Sequence, residues 1–232
     1  MDLYVGTSGY SYSAWKGIFY PSDLPARRML NYYGEHFRTV EINNTFHRMP
    51  KTALLEGWAA EVPDRFTFAL KAPQRITHFQ RLRDVGETLS WFLDVAAVLD
   101  QRLGPILFQL PPNLKKDLPL LCDFLCNLPK RYRVAFELRD LSWFTDDVVS
   151  ALRGHGAAVC HADTDDGARL PLVATADFGY LRLRRKEYSD AELEGWLKRL
   201  RNYQWQSAFI YFKHEDEATG VRFAKRFLEL AA

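Results

Sequence analysis

The stretch that decides the fold is TVEINNTFHRMP, residues 39–50. Successive side chains of a β-strand point to opposite faces, so Val40 and Ile42 share one face of this segment. Glu41 and Asn43 share the other face. A buried carboxylate without a partner is costly, so Glu41 requires either a counter-charge or a water-filled cavity. We therefore predict a strand whose inward face is polar.

The same alternation returns in two later stretches. AFELRD, residues 135–140, places Glu137 and Arg139 on one face, and AFIYFKH, residues 208–214, alternates in the same way. Strands that turn apolar side chains outward and polar side chains inward indicate a barrel with a polar mouth. The pattern indicates where chemistry takes place, but it does not identify the reaction.

The composition is that of a well-packed globular protein. Hydrophobic residues make up 47% and aromatic residues 14% of the 232 positions, and the net charge is only +2. So small a net charge implies no global attraction to nucleic acid or membrane, but it does not exclude a local basic patch. The three cysteines form no disulfide framework, and the first residues lack the features of a signal peptide. We therefore expect a cytoplasmic protein with no membrane partner.

Strand and helix signals alternate along the chain. Predicted strands begin at Leu3, Thr39, Phe66, Ile106, Arg133, Ala157, Gly179 and Ala208. Predicted helices cover residues 27–37, 52–61, 86–103, 118–128, 146–155, 190–200 and 219–230. Residues 164–177, which include Pro171, carry few helix signals. We predict an α/β single domain over residues 1–232, a (β/α)8 TIM-type barrel with an irregular sixth βα unit. An open doubly wound sheet is the alternative, and both folds gather their sites at the carboxyl ends of the strands.

An ordered set of motifs resembles the DUF72 family, also called YecE-like proteins. The motifs are GTSGYSYSAWKGIFYPSDLP (6–25), VEINNTFHRMP (40–50), FALKAPQRITH (68–78), FQLPP (108–112), FELRDLSWF (136–144), FKHED (212–216) and FAKRFLEL (223–230). The resemblance runs nearly end to end. It implies a TIM-type barrel whose biochemical function is unsettled.

Two positions depart from the pattern of that family. Many members read FNN in the last strand, where this chain has Lys213 and His214 after a phenylalanine. The preceding strand of many members carries His-Gly after its arginine, where this chain has Arg184 and Arg185. Both departures add positive charge near the predicted mouth, so a ligand shared with the family would be held differently here.

Three carboxylates, Glu41, Glu137 and Asp163, are predicted to face inward and form the catalytic set. Two of them could act as general acid and base, or they could be metal ligands. The alternative is a structural ion network in which they pair with inward cations, because buried charges need partners. Four histidines lie at or beyond strand ends, namely His47, His78, His161 and His214. No HxH, HExxH or HxxxH spacing connects these histidines, so we assign no metal and leave the cofactor undetermined.

The predicted mouth is also rich in cations and aromatic side chains. Its cations are Lys71, Arg139, Arg182, Arg184 and Lys213, followed by Arg75, Arg81 and Arg83 in the loop after the third strand. Converging arginines suit phosphate or carboxylate groups. The aromatic loop contributes Tyr10, Tyr12, Trp15, Phe19 and Tyr20. These rings could stack on a base or sugar, or they could form a hydrophobic plug over the barrel.

The main functional hypothesis is an enzyme, a hydrolase or isomerase, acting on a small anionic or phosphorylated substrate. Lys71, Arg139 and Arg182 would hold the anion, while Glu41 and Glu137 would do acid and base work and Asp163 would assist. The remaining predicted ligand-binding residues are Asn43, His78, Gln109, Trp143, Tyr10 and Trp15. A nucleic-acid enzyme or binder and a non-catalytic partner-binding module are the alternatives. The oligomeric state is left undetermined.

Overall fold

A computed structural model describes residues 1–165, 172–213 and 216–232. Its centre is a parallel eight-stranded sheet in which every strand lies beside its neighbours in the sequence. The strands are β1 Asp2–Thr7, β2 Thr39–Ile42, β3 Thr67–Lys71, β4 Leu103–Gln109, β5 Val134–Glu137, β6 Ala158–Asp163, β7 Phe178–Leu183 and β8 Ser207–Phe212. All eight predicted strands are therefore confirmed.

Helices connect the strands. They are α1 Met29–His36, α2 Asn44–His47, α3 Thr52–Glu61, α4 Gly86–Ala96, α5 Leu118–Cys126, α6 Asp146–His155, α7 Asp190–Arg201 and α8 Thr219–Ala231. The described residues between β6 and β7, residues 164–165 and 172–177, contain no helix, as the prediction of an irregular sixth unit requires. Pro171 lies outside the described residues. No described helix has the length and apolar character needed to cross a membrane.

The sheet closes where β1 meets β2. Ser8 forms a bridge with Glu41, and the Gly9 amide donates a 2.8 Å hydrogen bond to the Glu41 carbonyl. Gly6 permits this approach, because a Cβ atom there would collide with the carbonyl oxygen of Thr39. Since β1 also pairs with β8 along its whole length, the sheet is a barrel. The TIM-type prediction is confirmed, and the open doubly wound sheet was the wrong alternative.

The barrel interior changes from apolar to charged along the strand direction. Near the amino ends of the strands, Tyr4 and Phe209 stack with ring centroids 4.6 Å apart. The middle layer is formed by Ala69, Leu107, Ala135, Cys160, Tyr180 and Tyr211. Buried polar side chains follow at the carboxyl ends, namely Glu41, Lys71, Gln109, Glu137 and Arg182. The predicted polar mouth is thus built on an apolar base.

The largest difference from the predicted helix boundaries is in the helix after β3. The helix expected over residues 86–103 ends as α4 at Ala96 and continues as a 3-10 helix through Arg102. Asp100 has a positive φ of 45°, which breaks the regular helix. As a result β4 begins at Leu103, three residues before the predicted start, and it includes Gly104 and Pro105.

Candidate functional site at the barrel mouth

A buried arginine joins the carboxylates of two distant strands. Arg182 of β7 donates from Nη1 to Glu137 Oε2 at 2.6 Å and from Nη2 to Glu41 Oε1 at 3.0 Å. All three side chains are at most 2% exposed. The planar guanidinium provides two donors in fixed directions, so it can neutralise both carboxylates together. This triad of Glu41, Arg182 and Glu137 corresponds to the structural ion network, and it connects β2, β5 and β7.

Both oxygens of the Glu41 carboxylate are occupied. Oε2 accepts a 2.8 Å hydrogen bond from the Tyr180 hydroxyl, and Oε1 accepts from Asn43 Nδ2 at 3.2 Å as well as from Arg182. Burial favours the neutral acid, but the charges of Arg182 and Lys71 and the hydroxyl groups of Ser8 and Tyr180 together outweigh it and lower the pKa of Glu41. Glu41 is therefore an ionised and fully bonded part of the framework.

Glu137 is bonded on one oxygen and faces two further arginines with the other. Arg184 Nη1 lies 3.6 Å and Arg139 Nε 3.9 Å from Glu137 Oε1. Burial opposes ionisation, but Arg182 and Arg184 together lower the pKa of Glu137 to about 2. Glu137 is therefore ionised at neutral pH and cannot act there as a general acid. Distances of 3.6 and 3.9 Å exceed those of hydrogen bonds, and no described residue accepts a hydrogen bond from the side chain of Arg139 or Arg184.

Lys71 lies beside this triad at the end of β3. Its Nζ donates to Gln109 Oε1 at 2.9 Å and lies 3.8 Å from the centroid of the Phe46 ring. Among the described residues no carboxylate oxygen lies within 4.0 Å of Nζ. Burial, helped by the charge of Arg182, lowers the pKa of Lys71 to about 8. The amine is thus close to its titration midpoint under physiological conditions.

His78 also contacts Phe46. A single turn of π-helix, Arg75–Phe79, follows β3 and places the His78 ring edge-on to Phe46, 4.9 Å between centroids. Its Nδ1 lies 2.9 Å from the Thr77 hydroxyl. Partial burial, together with the charges of Lys71 and Arg139, lowers the pKa of His78 from its ordinary value. A neutral imidazole therefore predominates at neutral pH.

The prediction that Asp163 faces inward is wrong. The inward positions of β6 are Cys160 and Ala162, of which Cys160 belongs to the interior cluster. Asp163 lies on the outer face and accepts a 3.0 Å hydrogen bond from the Tyr188 hydroxyl. His161 shares that face and packs against Trp196 of α7, with ring centroids 5.1 Å apart. The structure therefore does not bring Asp163 to the triad.

Three predicted ligand-binding aromatics belong to the hydrophobic core. Trp143 is fully buried and its indole donates a 2.7 Å hydrogen bond to the carbonyl of Leu114. Trp15 is also fully buried within the aromatic loop, where it packs against Tyr12 and Tyr20. Tyr10 packs beside Tyr33, and burial raises the pKa of Tyr10 to about 12. The packing of this loop corresponds to the plug alternative rather than to a stacking platform.

The described histidines considered as metal ligands, His47, His78 and His161, form no metal-binding group with other described residues. Within residues 1–165, 172–213 and 216–232, no group of three or more His, Cys, Asp or Glu side chains is placed to hold a metal ion. His214 lies outside the described residues. Lys213, which belongs to the same family departure, is described, and its amide donates a 3.2 Å hydrogen bond to the Leu183 carbonyl, whereas the departure at Arg184 adds a cation beside Glu137.

The sequence analysis missed a groove beside the mouth. This lateral groove encloses about 730 Å³ and is lined by Phe46, His47, Met49, Pro73, Gln74, Arg75, Phe79, Gln80, Glu87, Thr88 and Trp91. The Phe79 and Trp91 side chains are 71% and 57% exposed. Phe46 separates the groove from Lys71. Exposed aromatics at helical positions resemble ordinary core residues in sequence, so periodicity alone gives no signal for this groove.

Comparison with known proteins points to one family. A family model described as "Protein of unknown function DUF72" matches residues 4–232. The UPF0759 protein YunF of Bacillus subtilis is 24% identical over 98% of this chain and 94% of its own length. The UPF0759 protein YecE of Escherichia coli is 30% identical over 143 residues, which are 61% of this chain. The matched region spans only half the length of YecE.

Solved structures agree with the fold. A DUF72 family protein from Thermotoga maritima superposes with a TM-score of 0.87 at 26% identity, covering 100% of this chain and 99% of the other. A DUF72 family protein from Enterococcus faecalis gives a TM-score of 0.78 at 15% identity, covering 99% and 97%. The second similarity concerns the fold alone.

Proposed function

The chain belongs to the DUF72 family, and from this premise we propose that it is an enzyme acting on a small anionic, phosphorylated substrate at the barrel mouth. One observation carries the proposal. Arg139 and Arg184 both approach Glu137 Oε1 without hydrogen-bonding to it, and their side chains are 41% and 24% exposed. A phosphate group could accept hydrogen bonds from the N–H groups of Arg139 and Arg184 that do not bond to Glu137.

The balance of charge supports an anionic ligand. Five cationic side chains, Lys71, Arg139, Arg182, Arg184 and Lys213, stand at or just beyond the strand ends, against the two carboxylates Glu41 and Glu137. Arg182 is committed to those carboxylates, so it supplies the framework rather than the contact with ligand. The partly exposed Arg139 and Arg184 then hold the anion, at the C-terminal face where TIM-barrel enzymes place their sites.

Proton transfer suits Lys71 and His78 better than the carboxylates. The sequence assigned acid and base work to Glu41 and Glu137, but both have lowered pKa values and are bonded to Arg182. Efficient acid–base groups titrate close to the working pH. Lys71, with a pKa of about 8, meets that requirement, and the neutral imidazole of His78 can accept a proton. We assign them the proton transfers of an isomerisation or a hydrolysis.

Phosphate is expected to stabilise the protein through the two arginines. Inorganic phosphate at a hundred times its dissociation constant should add about 2.7 kcal/mol to the unfolding free energy. Arg139→Gln combined with Arg184→Gln should weaken phosphate at least tenfold, because each lost charge-assisted contact is worth about 1.5 kcal/mol or more. Thermal melts over a phosphate titration measure both effects.

A matched control removes two charges elsewhere. Arg222 and Arg226 lie on α8 and pair with exposed acids, so the Arg222→Gln, Arg226→Gln variant has the same net charge but an unchanged mouth. It should bind phosphate like the wild type. Equal loss of phosphate stabilisation in both double variants would mean a response to overall charge and would overturn the assignment.

A nucleic-acid ligand is the second candidate, and the lateral groove favours it. Exposed Phe79 and Trp91 flank Arg75, and the exposed Arg81 and Arg83 follow in the next loop. Exposed rings beside cations are the combination that single-stranded nucleic acid requires. Arg83 is paired with Asp117 at 2.8 Å, which reduces its availability.

Salt dependence tests this second candidate. Backbone contacts should weaken binding of a labelled single-stranded oligonucleotide by at least tenfold between about 50 and about 200 mM salt. The Phe79→Ala and Trp91→Ala variants should each cost about 1–3 kcal/mol of binding free energy, as lost base stacking does. Fluorescence anisotropy measures both quantities. Binding that is insensitive to salt and to both substitutions would exclude the groove as a nucleic-acid site.

A further inference from the structure

We propose that Lys71 is a nucleophile that forms an imine with the substrate, so that the substrate is a phosphorylated aldehyde or ketone. The proposal rests on the anion site proposed above and specifies what is attached to the anion. It changes the role of Lys71 from proton transfer to covalent catalysis.

Among the described residues, no carboxylate pairs with the Lys71 amine. Lys71 Nζ has a neutral acceptor, the amide oxygen of Gln109 at 2.9 Å. The nearby carboxylates of Glu41 and Glu137 are bonded to Arg182 instead. Lys116 provides the contrast within this chain, because its Nζ contacts both oxygens of Asp147 at 2.8 and 2.6 Å.

The surroundings favour the neutral amine. Lys71 is 8% exposed, and the Phe46 ring lies against its Nζ, 3.8 Å from the ring centroid. Burial penalises the ammonium form, and the neighbouring Arg182 adds repulsion. Lysine becomes a nucleophile in just such sites, where an apolar wall and another cation hold it partly deprotonated.

The amine and the anion-binding arginines stand at one level of the barrel. Gln109, which accepts from Lys71, pairs in register with Glu137 of the adjacent strand. Glu137 in turn faces Arg139 and Arg184. A phosphate held by these arginines would lie at the same end of the barrel as Lys71, so we place the rest of the substrate over β3, β4 and β5.

The chemical step is balanced without any added reagent. The lone pair of neutral Nζ forms a bond to the carbonyl carbon while the carbonyl oxygen takes up a proton, giving a carbinolamine. The nitrogen then loses a proton, the oxygen takes up another, and the C–O bond breaks to release water. The net reaction of amine, carbonyl and one proton yields a protonated imine and water. His78 is the nearby titratable group suited to carry these protons.

The test uses pyridoxal 5′-phosphate, a phosphorylated aldehyde, with the full chain. After borohydride reduction, peptide mapping by mass spectrometry locates each modified lysine. At about pH 8 the neutral fraction of Lys71 should exceed that of an ordinary lysine, with a pKa near 10.4, by roughly a hundredfold. We expect Lys71 to be modified first, and we expect excess inorganic phosphate to slow that modification. Lys71→Arg keeps the charge and should lose this fast modification.

The outcomes separate this proposal from the proposed function. The anion site and the imine are both supported if phosphate stabilises the protein, if Lys71 is modified first, and if excess phosphate slows that modification. Phosphate stabilisation without preferential modification of Lys71 overturns the imine and leaves the anion site intact. Fast modification of Lys71 that phosphate does not slow contradicts the shared site, so it overturns the proposal as stated. The peptide map of the wild-type protein distinguishes these outcomes even if the Lys71→Arg variant does not fold.

Discussion

Replacing Arg182 with methionine is expected to destabilise the protein by about 3–5 kcal/mol, because it leaves two carboxylates buried without a counter-charge. Glu41 and Glu137 are both within 1% of complete burial, so neither can recover its hydration without opening the barrel. Urea unfolding at neutral pH measures the loss. The same variant should gain stability relative to the wild type as the pH falls. Burial without Arg182 raises the carboxylate pKa values, so the folded variant takes up protons before the unfolded chain does.

Two controls identify the cause of this effect. Arg226→Met removes an exposed arginine paired with Asp190 and should cost no more than about 1 kcal/mol. The triple variant Glu41→Gln, Arg182→Met, Glu137→Gln removes the charges together and should recover much of the loss. If Arg182→Met and Arg226→Met were equally stable, the triad would not connect the strands as described.

Ionised Glu137 is expected to contribute about 3 kcal/mol to the unfolding free energy, and lowering the pH should remove this contribution. The pKa of this carboxyl is about 2 in the folded protein, against an ordinary value of 4.5. The unfolded chain therefore takes up the proton first as the pH falls. The contribution is complete above the ordinary pKa and is lost between there and the folded pKa.

The comparison with Glu137→Gln isolates this contribution. Asp147 and Glu192 also have pKa values of about 2, but both proteins contain them, so their effects cancel. Unfolding free energies measured from about pH 6 to about pH 2 should differ most at the higher pH and converge toward the lower. Parallel curves would show that Glu137 is not the carboxyl with the strongly lowered pKa.

Much of the fold and part of the site follow from strand alternation. Alternation in a strand has a fixed period of two, and the carboxyl ends of parallel strands meet at one edge. These two facts suffice to bring Glu41, Glu137 and Arg182 together from positions far apart in the chain. They also place Lys71 beside them. The barrel, its single sheet and its polar mouth were therefore predictable.

Alternation alone does not decide which face of a strand is inward. In AVCHAD, residues 158–163, the polar residues His161 and Asp163 alternate with small apolar ones. We assigned the polar face to the interior by analogy with Glu41. Cys160 of β6 lies in the barrel interior instead, because Tyr180 and Tyr211 fill the neighbouring space. That choice depends on side-chain volumes from three strands, which no single segment contains.

Protonation states were likewise beyond the sequence. Whether Glu137 acts as a proton donor depends on its 2.6 Å contact with Arg182 and on the approach of Arg184. Lys71 has a lowered pKa because it is buried and lies near the positive charge of Arg182. Such distances arise between residues separated by many tens of positions. They follow only from the three-dimensional arrangement.

A crystal structure of the protein with bound phosphate tests the central claim most directly. The account predicts an ordered phosphate group with oxygens about 2.7–3.2 Å from guanidinium nitrogens of Arg139 and Arg184. Arg182 should keep its contacts with Glu41 and Glu137 in that complex. Phosphate bound at saturating concentration elsewhere on the surface, with no density beside Arg139 and Arg184, would contradict the account.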